Sequence, residues 1–248
     1  VGGLSHYLER EGLATTQISL IREHSEKIKP PRALWVPFEL GRPLGVPNDP
    51  AFQKRVLLAA LNLLEAPSGP VLVDFPEEAP VSTTQAGPLA CPISLPRKQT
   101  DLDSREGLRQ AFLQEVIQMA VWHREAEKKR GRTTYGASGL DPQEAARLLA
   151  GFLVGELPAN PMNNLSLASL VKLASEDIKA LYMEAITTLP GGLTDSASLT
   201  DWFFGQCVAG QVFLRLREVM SQSPDKETRL VGSRLLIPVS QASRKVFA

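Results

Sequence analysis

The sequence predicts an α/β protein, with a doubly wound parallel sheet in its N-terminal part and an all-helical C-terminal part. Three observations predict it. Short β-rich runs alternate with helical segments through residues 1–80, the order expected of a parallel sheet. One of those runs, Ala33-Leu34-Trp35-Val36, is almost continuously apolar, which suits a strand buried on both faces. From residue 104 to about residue 221 the apolar positions recur at helical spacing, interrupted at proline and glycine.

Taken in order, Leu4, Tyr7 and Leu8 follow helical spacing and Gly12 supplies a stop. Ala14 to Leu20 is β-rich and reads as a strand, followed by a short polar helix over about Ile21 to Ile28. Pro30-Pro31 ends that helix, because proline has no N–H and disfavours a helical residue before it. Arg32 to Phe38 is the next strand, close enough to the first for a parallel crossover of minimal length. A loop dense in Gly and Pro runs from Glu39 to Asp49. Asp49 as N-cap and Pro50 at the first helical position open a helix with Phe52, Val56, Leu57, Ala60, Leu61 and Leu64 on one face. Gly69-Pro70 stops the chain ahead of a third strand, Val71 to Phe75. A strand ahead of Val1 would complete a further βαβ unit, and the sheet portion is expected to lack it.

Residues 81–103 form a long linker without periodicity, and residues 104–248 are expected to be a helical portion packed on the sheet. Its helices are Ser104–Lys129, one opened by Asp141-Pro142, about Leu165–Thr188, and Leu199–Ser221. Ser198-Leu-Thr-Asp201 has the form of a capping box, and Leu235–Val239 reads as an edge strand or a docked tail.

Composition narrows the function classes. Hydrophobic residues make up 43% of the 248, enough for a core. Lys plus Arg equals Asp plus Glu at 27 each, so no basic field is present to release counterions from a nucleic acid, and no nucleic-acid partner is expected. The one dense basic stretch, Lys128 to Arg132, reads as a solvated helix end. Two cysteines, Cys91 and Cys207, fit a reducing, cytoplasmic setting with free thiols. No run reaches the ~18–20 apolar residues of a membrane span, so no membrane partner is expected. No three ligands stand at metal spacing, and neither a metal nor a cofactor is evident.

Two stretches could carry chemistry. The Glu39–Asp49 loop follows the buried strand, and ligands of open α/β sheets sit beyond the carboxyl ends of strands. Arg42 could clamp a carboxylate, Glu39 could act as acid or base, and Gly41 and Gly45 could let backbone approach a substrate. The plainer alternative is a rigid turn shaped by its glycines and prolines. Arg22, Glu23, His24 and Glu26 cluster near the short helix, and His24 could shuttle protons near neutral pH. His6 and His123 have only surface-pair acids, Glu9 and Glu127, nearby. Cys207 is expected to be a small hydrophobe within a helix, and Gly205 and Gly210 to permit a close helix crossing.

Gly12-Leu-Ala-Thr-Thr-Gln-Ile-Ser-Leu20, then Pro30-Pro-Arg-Ala-Leu-Trp-Val-Pro-Phe-Glu-Leu-Gly-Arg-Pro-Leu-Gly-Val-Pro-Asn-Asp49, Gln53 and Leu57-Leu-Ala-Ala-Leu61 together resemble the glycine/sarcosine/betaine and D-proline reductase selenoprotein B family. The likeness is to its short, selenium-free relatives and covers residues 12–65. What the resemblance implies is reductive cleavage of a C–N bond, with a redox partner protein. Family members proper carry a selenocysteine or cysteine just before the helix corresponding to Val1–Glu11, and this sequence shows neither. The positional matches are Arg32, Gly41, Pro43, Gly45 and Gln53, which makes Gln53 a further substrate-binding candidate. The expected function is a reductase-like enzyme or subunit using thiol or selenol redox chemistry on a small amine or amino-acid-like substrate. The alternatives are a non-catalytic binding or assembly component and a small-molecule-binding regulator. The aromatic-rich stretch Trp202–Phe213 could form a homodimer interface.

Overall fold

The computed structural model describes residues 2–80, 102–156, 159–189 and 196–244. The chain divides into two compact units, Val1–Thr83 and Thr84–Ala248. The expected linker falls almost wholly outside the described residues, as does Cys91.

In the first unit, α1 (Gly2–Arg10) precedes β1 (Gln17–Ser19), α2 (Arg22–Ile28), β2 (Arg32–Trp35), α3 (Pro50–Asn62) and β3 (Val71–Asp74). The three strands are parallel, in the order β1-β2-β3, with Ile18 opposite Leu34 and Leu34 opposite Val73. Ala33, Leu34 and Val36 are all at most 1% exposed, so the apolar run is covered on both faces as its composition predicts. Leu34, Val36 and Phe38 pack with Phe52, Val56, Ala60 and Phe75. The Phe38, Phe52 and Phe75 rings form a triangle with centroids 5.4, 5.9 and 6.0 Å apart.

The start of α3 follows from its sequence: Asp49 accepts the Phe52 N–H at 3.0 Å, and Pro50 gives up no needed donor. Its buried stripe is narrower than the periodicity predicts. Phe52, Val56 and Ala60 are buried, whereas Leu57, Leu61 and Leu64 are exposed. Three positions at i, i+4 and i+8 suffice to cover the row of side chains beneath them, and the flanking leucines fall off that row.

The second unit contains α4 (Arg105–Arg130), α5 (Pro142–Val154), α6 (Leu167–Ile186), α7 (Ser196–Gln206), α8 (Val208–Ser221) and α9 (Lys226–Leu230). A π turn, Val231–Leu235, follows α9, and a 3-10 turn spans Val239–Gln241, so the Leu235–Val239 segment is no strand. Its described elements are all helical, with the largest core cluster drawn from α4, α5, α6, α7 and α8.

Three expectations about this unit are corrected. The predicted Leu199–Ser221 helix is two helices, broken where Cys207 takes extended backbone as the N-cap of α8. Gly210 makes the crossing possible, since a Cβ there would lie 2.1 Å from the Phe203 carbonyl oxygen. The second correction concerns the aromatic stretch. Trp202, Phe203, Phe204 and Phe213 are all buried within this unit's own core, so they offer no surface for a dimer. Ser198 lies inside α7, two residues past its start, and not at a cap position. Asp201, its supposed partner, accepts from Arg244 at 2.7 Å. Among the described residues a capping box is formed by Asp141 and Glu144, at the start of α5.

Candidate functional site

At the carboxyl edge of the three-stranded sheet, Glu39 and Arg42 face each other as an ion pair at 3.5 Å, with both side chains 40% exposed or more. Backbone bonds from Arg42 N to Glu39 O and from Gly45 N to Arg42 O wind the segment into successive turns. Gly41 (φ +88°) and Gly45 (φ +81°) both take left-handed backbone, which glycine adopts without penalty. They differ in surroundings. A Cβ on Gly41 would meet nothing within 4 Å, whereas one on Gly45 would lie 2.6 Å from the Phe52 ring. Gly45 is therefore a packing position under the aromatic triangle, and Gly41 an open turn. The Gln53 amide donates to the Val46 carbonyl at 3.0 Å and fastens the loop to α3.

Arg32 stands at the opposite, amino edge, at the start of β2. It donates to Glu9 at 2.7 Å and twice to the Ala66 carbonyl, at 3.1 and 2.7 Å. Glu9 also accepts the Thr15 N–H and hydroxyl, and these bonds, the Thr15 N–H foremost, hold its carboxyl below the usual value. The arrangement is an architectural tie joining α1, β2 and the turn after α3.

One concave feature of this unit is a cleft of about 240 Å³ beside β1. Its walls are Gly2 at the start of α1, the run Gln17–Ile21, then His24, Ser25 and Ile28 of α2, and Leu40. The structure thus brings His24 to a cleft and sets Leu40, a neighbour of Glu39, at its rim. Glu39, Gly41, Arg42, Gly45 and Gln53 are not among the lining residues. Inside, the Ser25 hydroxyl donates to the Ser19 hydroxyl at 2.7 Å, and Ser19 in turn donates to the Ile21 carbonyl at 3.0 Å. Gln17 Oε1 is buried without a hydrogen-bond partner. Arg22, just before His24 on α2, donates to both Asp74 oxygens at 3.1 and 3.2 Å and pairs with Glu26. The Asp74 bond, foremost, holds its guanidinium above the ordinary arginine value.

Sequence reasoning passed over Gln17, Ser19, Ser25 and Asp74. One signal was present: Gln17 and Ser19 are polar at alternate positions of an otherwise β-rich run, which puts both on one face. Asp74 carried none, since its partner lies 52 residues away.

The helical unit holds three buried carboxylates that periodicity did not mark. Glu115 accepts the Tyr182 hydroxyl at 2.8 Å and the Val208 and Ala209 N–H groups at 2.9 Å each. Asp177 accepts the N–H groups of Gly136, Ala137 and Ser138 at 2.8–2.9 Å and the Ser138 hydroxyl at 2.5 Å. Glu184 accepts from Thr133, from the Thr134 N–H and hydroxyl, and from His123 at 3.0 Å. Burial pushes the Glu184 carboxyl up, but the threonine bonds and His123 outweigh it and leave the group below its ordinary value. His123, far from being a surface histidine, is 6% exposed and bonded to an acid 61 residues away. Burial, with Glu115 adding to it, pushes the Tyr182 hydroxyl well above its usual value. All three carboxylates are saturated by donors that hold helices and loops in place, so they read as structural.

Cys207 is buried. Among the described residues no group of three or more His, Cys, Asp or Glu could hold a metal ion, and no helix is long and apolar enough to cross a membrane.

Two compact units, one mixed α/β with a parallel sheet and one helical, define the class of this protein. No family model matches the chain, and neither a curated protein nor a solved structure matches it.

Proposed function

We propose that the chain is a reductase-like enzyme or enzyme subunit, acting by thiol or selenol redox chemistry on a small amine or amino-acid-like substrate held in the cleft beside β1. One observation carries the reading: the cleft is lined by Gly2, at the start of α1. The selenoprotein B resemblance assigns the redox residue to a position just ahead of this helix. A group at that position would open onto the cleft, with His24 at its edge to give or take a proton. Arg42 serves as the carboxylate clamp once an incoming carboxylate replaces Glu39. Their half-exposed pair at 3.5 Å is of the kind that contributes little, so its exchange costs little. A cytoplasmic setting, a redox partner protein and a doubly wound sheet, its order continued by a strand on the outer edge of β1, belong to the same proposal.

A non-catalytic binding or assembly component is the second reading. What favours it is that no described thiol lines the cleft, Cys207 being buried in the helical unit. The test is to incubate the protein with a dithiol reductant and glycine, sarcosine, betaine, D-proline or the uncharged amide of a small amino acid, and to follow C–N cleavage by proton NMR. Cleavage abolished by His24→Ala is the expected outcome. Binding of a substrate without any cleavage product would leave the second reading in its place.

A further inference from the structure

The chemistry of the cleft restricts what enters it. None of its walls carries a formal charge, apart from what His24 takes on when protonated. Ile21, Ile28 and Leu40 are 38%, 46% and 74% exposed, so the rim is aliphatic and open to a ligand body. Both serine protons are committed, Ser25 to Ser19 and Ser19 to the Ile21 carbonyl. What the hydroxyls have left is lone pairs, and Gln17 Oε1 is likewise an acceptor without a donor. The unused capacity of the Gln17, Ser19 and Ser25 wall is thus these lone pairs together with the Gln17 Nε2–H donors, the complement of an uncharged amide. A carboxylate would bring more acceptors and an uncompensated negative charge. An ammonium would bring donors but find no carboxylate to neutralise it, and a charge taken from water unpaired is costly.

We infer that the group held in this cleft is an uncharged N–H donor on a short aliphatic body, a carboxamide-like moiety, and that Gln17 is the residue that selects it. Gln17 Oε1 now lies within van der Waals range of a Gly2 side-chain position. The terminal torsion of glutamine is soft, so the amide turns toward a bound N–H at little cost. The inference rests on the proposed use of this cleft and narrows the substrate to an amino-acid-like molecule whose nitrogen enters the cleft as an uncharged amide N–H.

The experiment is a titration of the full chain followed by amide NMR, with isobutyramide, isobutyrate and isopropylammonium as three probes of similar shape. Isobutyramide is expected to shift the Ile18, Ser19, His24 and Ser25 signals, and each charged probe to bind about tenfold or more weakly, as expected where binding depends on one matched hydrogen bond. Gln17→Leu is expected to abolish that preference, and Gln17→Glu to transfer it to isopropylammonium, with the remaining amide spectrum unchanged. Equal binding of all three probes, tighter binding of a charged one, or a preference that survives Gln17→Leu overturns the inference while leaving the cleft as a binding site. If no probe moves the cleft signals, the proposed use of the cleft falls as well.

Discussion

Gly41 and Gly45 share one backbone conformation in one loop, and replacing each with alanine separates turn geometry from packing. At Gly41 (φ +88°) the added methyl meets nothing within 4 Å, so the cost is that of left-handed backbone alone, about 1 kcal/mol. At Gly45 (φ +81°) the methyl falls 2.6 Å from Phe52 Cε1 and 3.0 Å from Cδ1. The Phe52 ring cannot swing aside freely, because Phe38 and Phe75 stand 5.4 and 6.0 Å from it, centroid to centroid. Overpacking of a tight core adds roughly 1–3 kcal/mol to the backbone cost, for a total of about 2–4 kcal/mol. Urea unfolding followed by fluorescence reads the difference, with Trp35 on β2 as the reporter in this unit and the other tryptophans replaced by phenylalanine. If Gly41→Ala destabilises as much as Gly45→Ala, the assignment of Gly45 as a packing position is refuted.

Two further outcomes are expected in the helical unit. Asp177→Ala strips the acceptor from the buried Ser138 N–H and hydroxyl, while Gly136 and Ala137 are exposed and can rehydrate. Two orphaned groups at roughly 1–3 kcal/mol each predict a loss of about 3 kcal/mol in urea melts, and a loss below about 1 kcal/mol would contradict it. Glu184 has its carboxyl depressed in the folded state, so its stabilisation is complete above the unfolded value near ~4.3 and fades as pH falls through the lower folded value. Glu184→Gln should therefore be less stable than the parent at neutral pH, with the gap narrowing on acidification. A gap that stays constant from neutral to strongly acidic pH would show that Glu184 does not titrate in this way.

Local sequence signals gave a sound order of elements because they are written in adjacent residues. Asp49-Pro50 and Asp141-Pro142 each start a helix where the capping chemistry says they should. The apolar run at Ala33–Val36 becomes the central strand of the sheet. The break at Cys207 had no such mark: neither proline nor glycine occupies the position, and the donors exposed by starting a new helix are met by Glu115, 93 and 94 residues earlier. The same distance hid His123, whose acid lies on another helix. At the candidate site, the Glu39–Asp49 loop was legible from its glycines and prolines, but its chemistry was not. Whether Arg42 is available or already paired, and whether Gly45 faces a ligand or a phenyl ring, depends on what packs against them. The cleft was invisible because its walls come from several separate stretches of chain.

The buried Glu115 carboxylate sets a condition on how this protein can be cut or rebuilt. Residue 208 begins a helix where a side chain from α4 supplies the acceptor for its N–H, and that same side chain anchors the Tyr182 hydroxyl of α6. A fragment beginning at Cys207 would thus carry the residues of α8 but not the instruction for where to start. Any shortened version that retains α8 must also retain the middle of α4, however far apart the two lie along the chain.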